Sequence, residues 1–159
     1  VEVRLAPTRG DAQAAALDGA RLRWIETPSN PQLDVCDIDQ LVRAARAILK
    51  MGPKAVLIKR GEYGVLQFSD SSVFATPAYP LEEVFDPTGA GDSFAGGFMG
   101  QLARSGDHSQ KGIRRAIVYG SVVASFTVED FGVKRLTNVS LQDIEERYKS
   151  FTQLTDFHT

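Results

Sequence analysis

The stretch Asp86-Pro87-Thr88-Gly89-Ala90-Gly91-Asp92 restricts this chain more than any other, because few folds can use it. It follows the extended run Glu83-Val84-Phe85 and leads into Ser93-Phe94-Ala95-Gly96-Gly97-Phe98, the start of a helix rich in small residues. From Thr88 to Gly91 every side chain is small, where the chain must turn sharply. Such residues let backbone N–H groups approach an anion, and the positive end of the following helix favours negative charge there. Asp92 falls in the first helical turn, within reach of whatever those amides hold. An anion cradle beside a carboxylate suits phosphoryl transfer, in which positioning and charge stabilisation supply most of the catalysis. The plainer alternative makes Asp92 the N-cap of the helix and the glycines a structural turn.

Composition narrows the setting. At 159 residues, 43% of them hydrophobic and 24% charged, the chain has room for one domain with a real core. A formal charge of −2 and a pI near 5.7 give no general attraction for nucleic acid or an anionic membrane. No apolar run reaches membrane-span length, and no signal peptide is visible. A single cysteine, Cys36, excludes an internal disulfide and fits a reducing cytoplasm. Two histidines are too few for a Cys/His metal cluster.

Residues 86–98, Asp-Pro-Thr-Gly-Ala-Gly-Asp-Ser-Phe-Ala-Gly-Gly-Phe, resemble the C-terminal signature of the ribokinase-like (phosphofructokinase-B type) sugar and nucleoside kinases. The resemblance runs from about Leu41 to the C-terminus. It implies that Asp92 is the general base taking the proton from a sugar hydroxyl. The amides of Gly89, Ala90 and Gly91 would form the anion hole for the transferring phosphate of ATP–Mg2+. Asp86 and Thr88 would lie by a monovalent-cation site, completed by backbone carbonyls of Glu129-Asp130-Phe131-Gly132. The loop from Lys59 to Gly64, including Gly61, would run along the nucleotide phosphates. The region from Gly120 to Ala124, including Val123, would form part of the adenine wall. Simpler readings stand beside these: a hairpin-like connection with solvent-facing Lys59 and Arg60, and tight packing at Gly120.

A second resemblance covers the N-terminus. Leu22 to Ile38, LRWIETPSNPQLDVCDI, looks like the Cys/Met-metabolism enzymes that use pyridoxal phosphate, the transsulfuration type. The similarity extends back to Val1 and fades near Ala44. The Schiff-base Lys and the pyridine-pairing Asp of that family have no counterpart here, so pyridoxal phosphate is not expected. Glu26 and Asn30 read as loop residues. The two resemblances meet on one helix, which points to a chimera joined where two βαβ units can exchange parts.

The expected fold is α/β: a three-layer, ribokinase-like partial domain with a parallel or mixed sheet. An N-terminal strand–helix–strand is expected to add to that sheet, making 1–159 a single domain with segments 1–44 and 45–159. Strand readings fall on Val1–Ala6, Arg21–Ile25, Ala55–Ile58, Val65–Phe68 and Val73–Ala75. Ala55–Ile58 is apolar throughout, as in a central parallel strand. Helix readings fall on Thr8–Leu17, Ile38–Met51, Gly91–Arg104, Gln110–Val128 and Leu141–Phe151, the last capped by Ser140. Kinases of the resembled family are longer, and their sugar-binding half and lid are not recognisable here. A base without a positioned hydroxyl loses a proximity term worth up to about 7–11 kcal/mol. The expectation is therefore a truncated phosphotransferase that binds nucleotide without efficient sugar phosphorylation; the alternative is a folded chimeric domain with no catalytic role. An open sheet edge would favour a homodimer.

Overall fold

The computed structural model describes residues 38–156. The expected N-terminal strands, the first helix and the Glu26–Pro31 loop lie outside them. The chain divides into two compact units, one comprising residues 1–59 and 66–75, the other 60–65 and 76–159.

In the described part of the first unit, helix α1 (Ile38–Leu49) precedes strands β1 (Ala55–Lys59), β2 (Val65–Ser69) and β3 (Val73–Thr76). Ala45 and Leu49 sit four residues apart on one helix face and are buried with Phe68, flanked by Val56, Ile58 and Leu66. Ala44, next to Ala45 in sequence, is exposed. Gly52-Pro53 ends the helix, with Gly52 N–H donating to Leu49 C=O at 3.1 Å. Arg46 Nη1 then donates to Ser69 C=O at 2.9 Å.

The sheet departs from the expectation. Its order is β1-β2-β3 and it is antiparallel. The reason is connection length: residues 60–64 and 70–72 are hairpin turns, and a parallel crossover needs a dozen residues or more. β1, read as a central strand, stands at one end of this order and is half-buried along its length.

The second unit is helical. Helix α2 (Ala90–Ser105) ends on Gly106, whose left-handed backbone lets its N–H reach Leu102 C=O at 2.9 Å. Helix α3 (Gln110–Thr127) starts at Ser109, whose Oγ accepts from Gly112 N–H at 3.2 Å. Helix α4 (Leu141–Thr155) runs one turn past the expected Phe151. Val122, Phe126 and Phe151 form the core between α3 and α4. Arg147 locks these helices together. Its guanidinium lies 3.5 Å from the Phe126 ring centroid, 2.6 Å from Glu129 Oε1 and 2.9 Å from Ser125 Oγ. Glu129 also holds Arg135 at 3.1 Å, which ties down the segment after α3.

Ser140 caps α4 as expected, in a reciprocal box with Asp143. Asp143 Oδ2 accepts from Ser140 Oγ at 2.6 Å and from Ser140 N–H at 2.8 Å. The Ser140 hydroxyl first, then its amide, hold the Asp143 carboxyl below the ordinary carboxylate value. Glu145 is lowered as well, first by the Tyr119 hydroxyl and then by Arg104. A carboxylate whose pKa falls on folding adds stability above its unfolded pKa and loses it as pH falls through the folded one. Melting temperature should therefore drop on acidification below the ordinary carboxylate range. Asp143→Asn should melt lower at neutral pH and show a shallower acid limb. Parallel pH profiles for the two proteins would remove the role assigned to this box.

Candidate functional site

The loop before α2 is built by three local devices. Phe85 N–H donates to Val128 C=O at 2.8 Å, which lays the incoming chain along the end of α3. Asp86 Oδ1 accepts Thr88 N–H at 3.0 Å, closing a turn around Pro87. Gly89 then takes a left-handed backbone, φ 83° and ψ −4°, and serves as N-cap of α2. A β-carbon would strain that conformation, so a glycine is required there.

This geometry decides the role of Asp92 as a cap. Gly89 holds the N-cap position, and Asp92 stands two residues inside the helix with an exposed side chain. The first intrahelical bond, Ser93 N–H to Gly89 C=O, is 2.9 Å. Ahead of it lie the first-turn amides that an α-helix leaves without an i−4 partner. Of the amides expected in the anion hole, that of Ala90 donates to Pro87 C=O at 3.1 Å.

Asp86 accepts more than the turn bond. Its carboxyl is held below the ordinary aspartate value by Thr88 N–H first, then the Thr88 hydroxyl, with Gly132 N–H adding to them. The structure thus brings 85–88 beside 128–132, the two segments expected around a cation. Among the described residues, no three His, Cys, Asp or Glu side chains converge to hold a metal ion by themselves.

The remaining residues fall into other places. Gly120 and Val123 face α2. A β-carbon on Gly120 would lie 2.8 Å from Phe94 C=O, and one on Gly97 would lie 2.9 Å from Val123 Cβ. The tight packing read at Gly120 is thus a close crossing of two helices. Lys59 ends β1. Gly61 and Gly64 both take left-handed φ, 57° and 80°, in a tight turn closed by Arg60 N–H to Gly64 C=O at 2.8 Å. Gly64 packs on the backbone of Thr76 and Pro77.

Two residues at the site had not been singled out. Thr127 is wholly buried at the end of α3 and donates from Oγ1 to Ser93 Oγ at 2.7 Å. A signal existed: Gly120, Val123 and Thr127 follow at spacings of three and four, which puts a polar residue on the face that meets α2.

The sequence pattern of the pfkB family carbohydrate kinases matches residues 7–138. A nucleoside kinase of Methanothermobacter thermautotrophicus is 41% identical over 103 residues, 65% of this chain and 30% of that protein. The crystal structure of aminoimidazole riboside kinase from Salmonella enterica, with aminoimidazole riboside and an ATP analog, superposes with a TM-score of 0.60. It is 25% identical and matches 67% of this chain and 35% of that one. These likenesses define a partial ribokinase-like α/β fold. The chain belongs to the pfkB family of carbohydrate kinases.

A Streptomyces coelicolor protein described as a cystathionine gamma-lyase is 68% identical over 47 residues, 30% of this chain and 12% of that protein. The chain thus combines a ribokinase-like region with a segment similar to a transsulfuration enzyme. The family match begins at residue 7, well before the Leu41 boundary expected, so the two similarities overlap. The chain spans about a third or less of the length of these relatives. Among the described residues, no helix is long and apolar enough to cross a membrane.

Proposed function

We propose that residues 86–92 are the phosphate turn and general base of an ATP-dependent phosphotransferase acting on a sugar or nucleoside hydroxyl. The observation that carries this reading is the left-handed Gly89 N-cap, which frees Asp92 from capping and leaves its carboxylate exposed in the first turn. Asp92 takes the hydroxyl proton, and the amides of the 89–91 turn with the positive end of α2 receive the phosphate. Magnesium bound with ATP would supply charge neutralisation on the phosphates, which suits a site offering few carboxylates of its own. Asp86 and Thr88, with backbone carbonyls of 129–132, are the oxygen donors suited to a monovalent cation. Lys59, Gly61 and Gly64 are assigned to the nucleotide phosphates, and Gly120 and Val123 to the adenine side; the cytoplasm is the fitting compartment.

A second reading is favoured by the 68% identity to an enzyme of different chemistry: a chimeric folded domain with inherited motifs and no catalysis. Calorimetric titration of ATP with magnesium into the whole 159-residue chain separates the two. Saturable binding, displaced by ADP and weakened by sulfate, is expected. No heat of binding up to millimolar nucleotide would leave only the second reading.

A further inference from the structure

The last turn of α3 holds both limbs of the 86–92 turn. On the way in, Val128 C=O accepts from Phe85 N–H at 2.8 Å. On the way out, Thr127 Oγ1 donates to Ser93 Oγ at 2.7 Å, across 34 residues of sequence. Hydroxyls inside helices usually bond back to a carbonyl of the preceding turn. Ser125 does so, donating to Val122 C=O at 2.7 Å. Thr127 instead reaches to another helix. It is fully buried, and its Cγ2 lies 4.0 Å from where a β-carbon on Gly89 would stand. Ser93, the receiving residue, follows Asp92 directly and gives its own N–H to Gly89 C=O at 2.9 Å.

We propose that Thr127 is a positioning residue for the phosphate turn: its hydroxyl fixes Ser93, and through Ser93 the Gly89 carbonyl and the backbone that carries Asp92. This rests on the reading of 89–92 as the phosphate cradle. The proposal separates two properties of one side chain. The methyl fills the buried space between α2 and the end of α3, whereas the hydroxyl sets the orientation of the turn.

The test compares wild type with Thr127→Val and Thr127→Ser, using calorimetric affinity for ATP with magnesium and the melting temperature of each. Valine keeps the shape and removes the donor; serine keeps the donor and removes the methyl. Thr127→Val should weaken ATP binding about tenfold as the turn loses its anchor, and lower the melting temperature by no more than one lost hydrogen bond allows. Thr127→Ser should melt lower, from the cavity it leaves, yet bind ATP within about twofold of wild type. Should the valine protein fail to fold, Ser93→Ala breaks the same bond from the half-buried side and should show the same tenfold loss. Affinity that follows melting temperature across the series, or wild-type affinity in Thr127→Val or Ser93→Ala, overturns the positioning role and spares the phosphate reading. Absence of ATP binding in the wild type overturns both.

Discussion

Asp92→Asn should leave ATP binding unchanged or tighter while any ATP hydrolysis falls by about 10²–10⁴-fold, the usual contribution of a positioned base. The opposite signs follow from one change. Removing the carboxylate charge relieves repulsion with the bound phosphates, and it also removes the proton acceptor. The structure makes the substitution clean, because Gly89 and not Asp92 caps α2. Loss of an acidic residue from the first turn costs the helix dipole no more than about 1 kcal/mol, so the fold should survive. Hydrolysis by the variant at the wild-type rate, with unchanged affinity, would end the catalytic reading of Asp92.

Gly120→Ala should destabilise the protein by about 1–3 kcal/mol, the cost of overpacking a close contact. Two effects compete. Alanine gains up to about 1 kcal/mol of helix propensity over glycine. Against that, its β-carbon would meet Phe94 C=O at 2.8 Å and the Phe94 ring at 2.9 Å. A backbone carbonyl cannot swing aside as a flexible side chain would, so the clash wins. Gly97→Ala should behave alike, and the pair should not add, since a β-carbon on Gly97 would lie 3.1 Å from Gly120 Cα. Gly100→Ala supplies the contrast. Nothing lies within 4 Å of its added carbon, so only the propensity gain remains and melting should rise. Thermal melts of the three variants decide it; a stabilised Gly120→Ala would remove the packing account.

Much of this was legible because local chemistry determined it. Ser140 announced a cap, and the cap formed, with Asp143 completing it. The small residues at 88–91 announced a turn opening a helix, and α2 begins at Ala90. What could not be read was partnership across the chain. Ala55–Ile58 is as apolar as a buried parallel strand, yet short hairpin connections make β1 an antiparallel neighbour of β2. The close approach of Phe94 to Gly120 comes from another helix and leaves no mark on the sequence around either residue. The Arg147–Phe126 stack joins residues on different helices, a distance no periodicity encodes. Thr127 had a visible register, but only the fold put Ser93 within reach of its hydroxyl.

The division of the chain into two units has a practical corollary. Residues 60–65 belong with the helices, while 66–75 return to the unit of α1 and β1. Neither body is therefore one uninterrupted stretch of polypeptide. A single protease cut, or a gene clipped at one point, cannot divide them cleanly: any cut that leaves one whole carries a piece of the other with it. Clean dissection of this molecule has to proceed by excising and rejoining loops, and an expression fragment ending inside 66–75 severs both bodies at once.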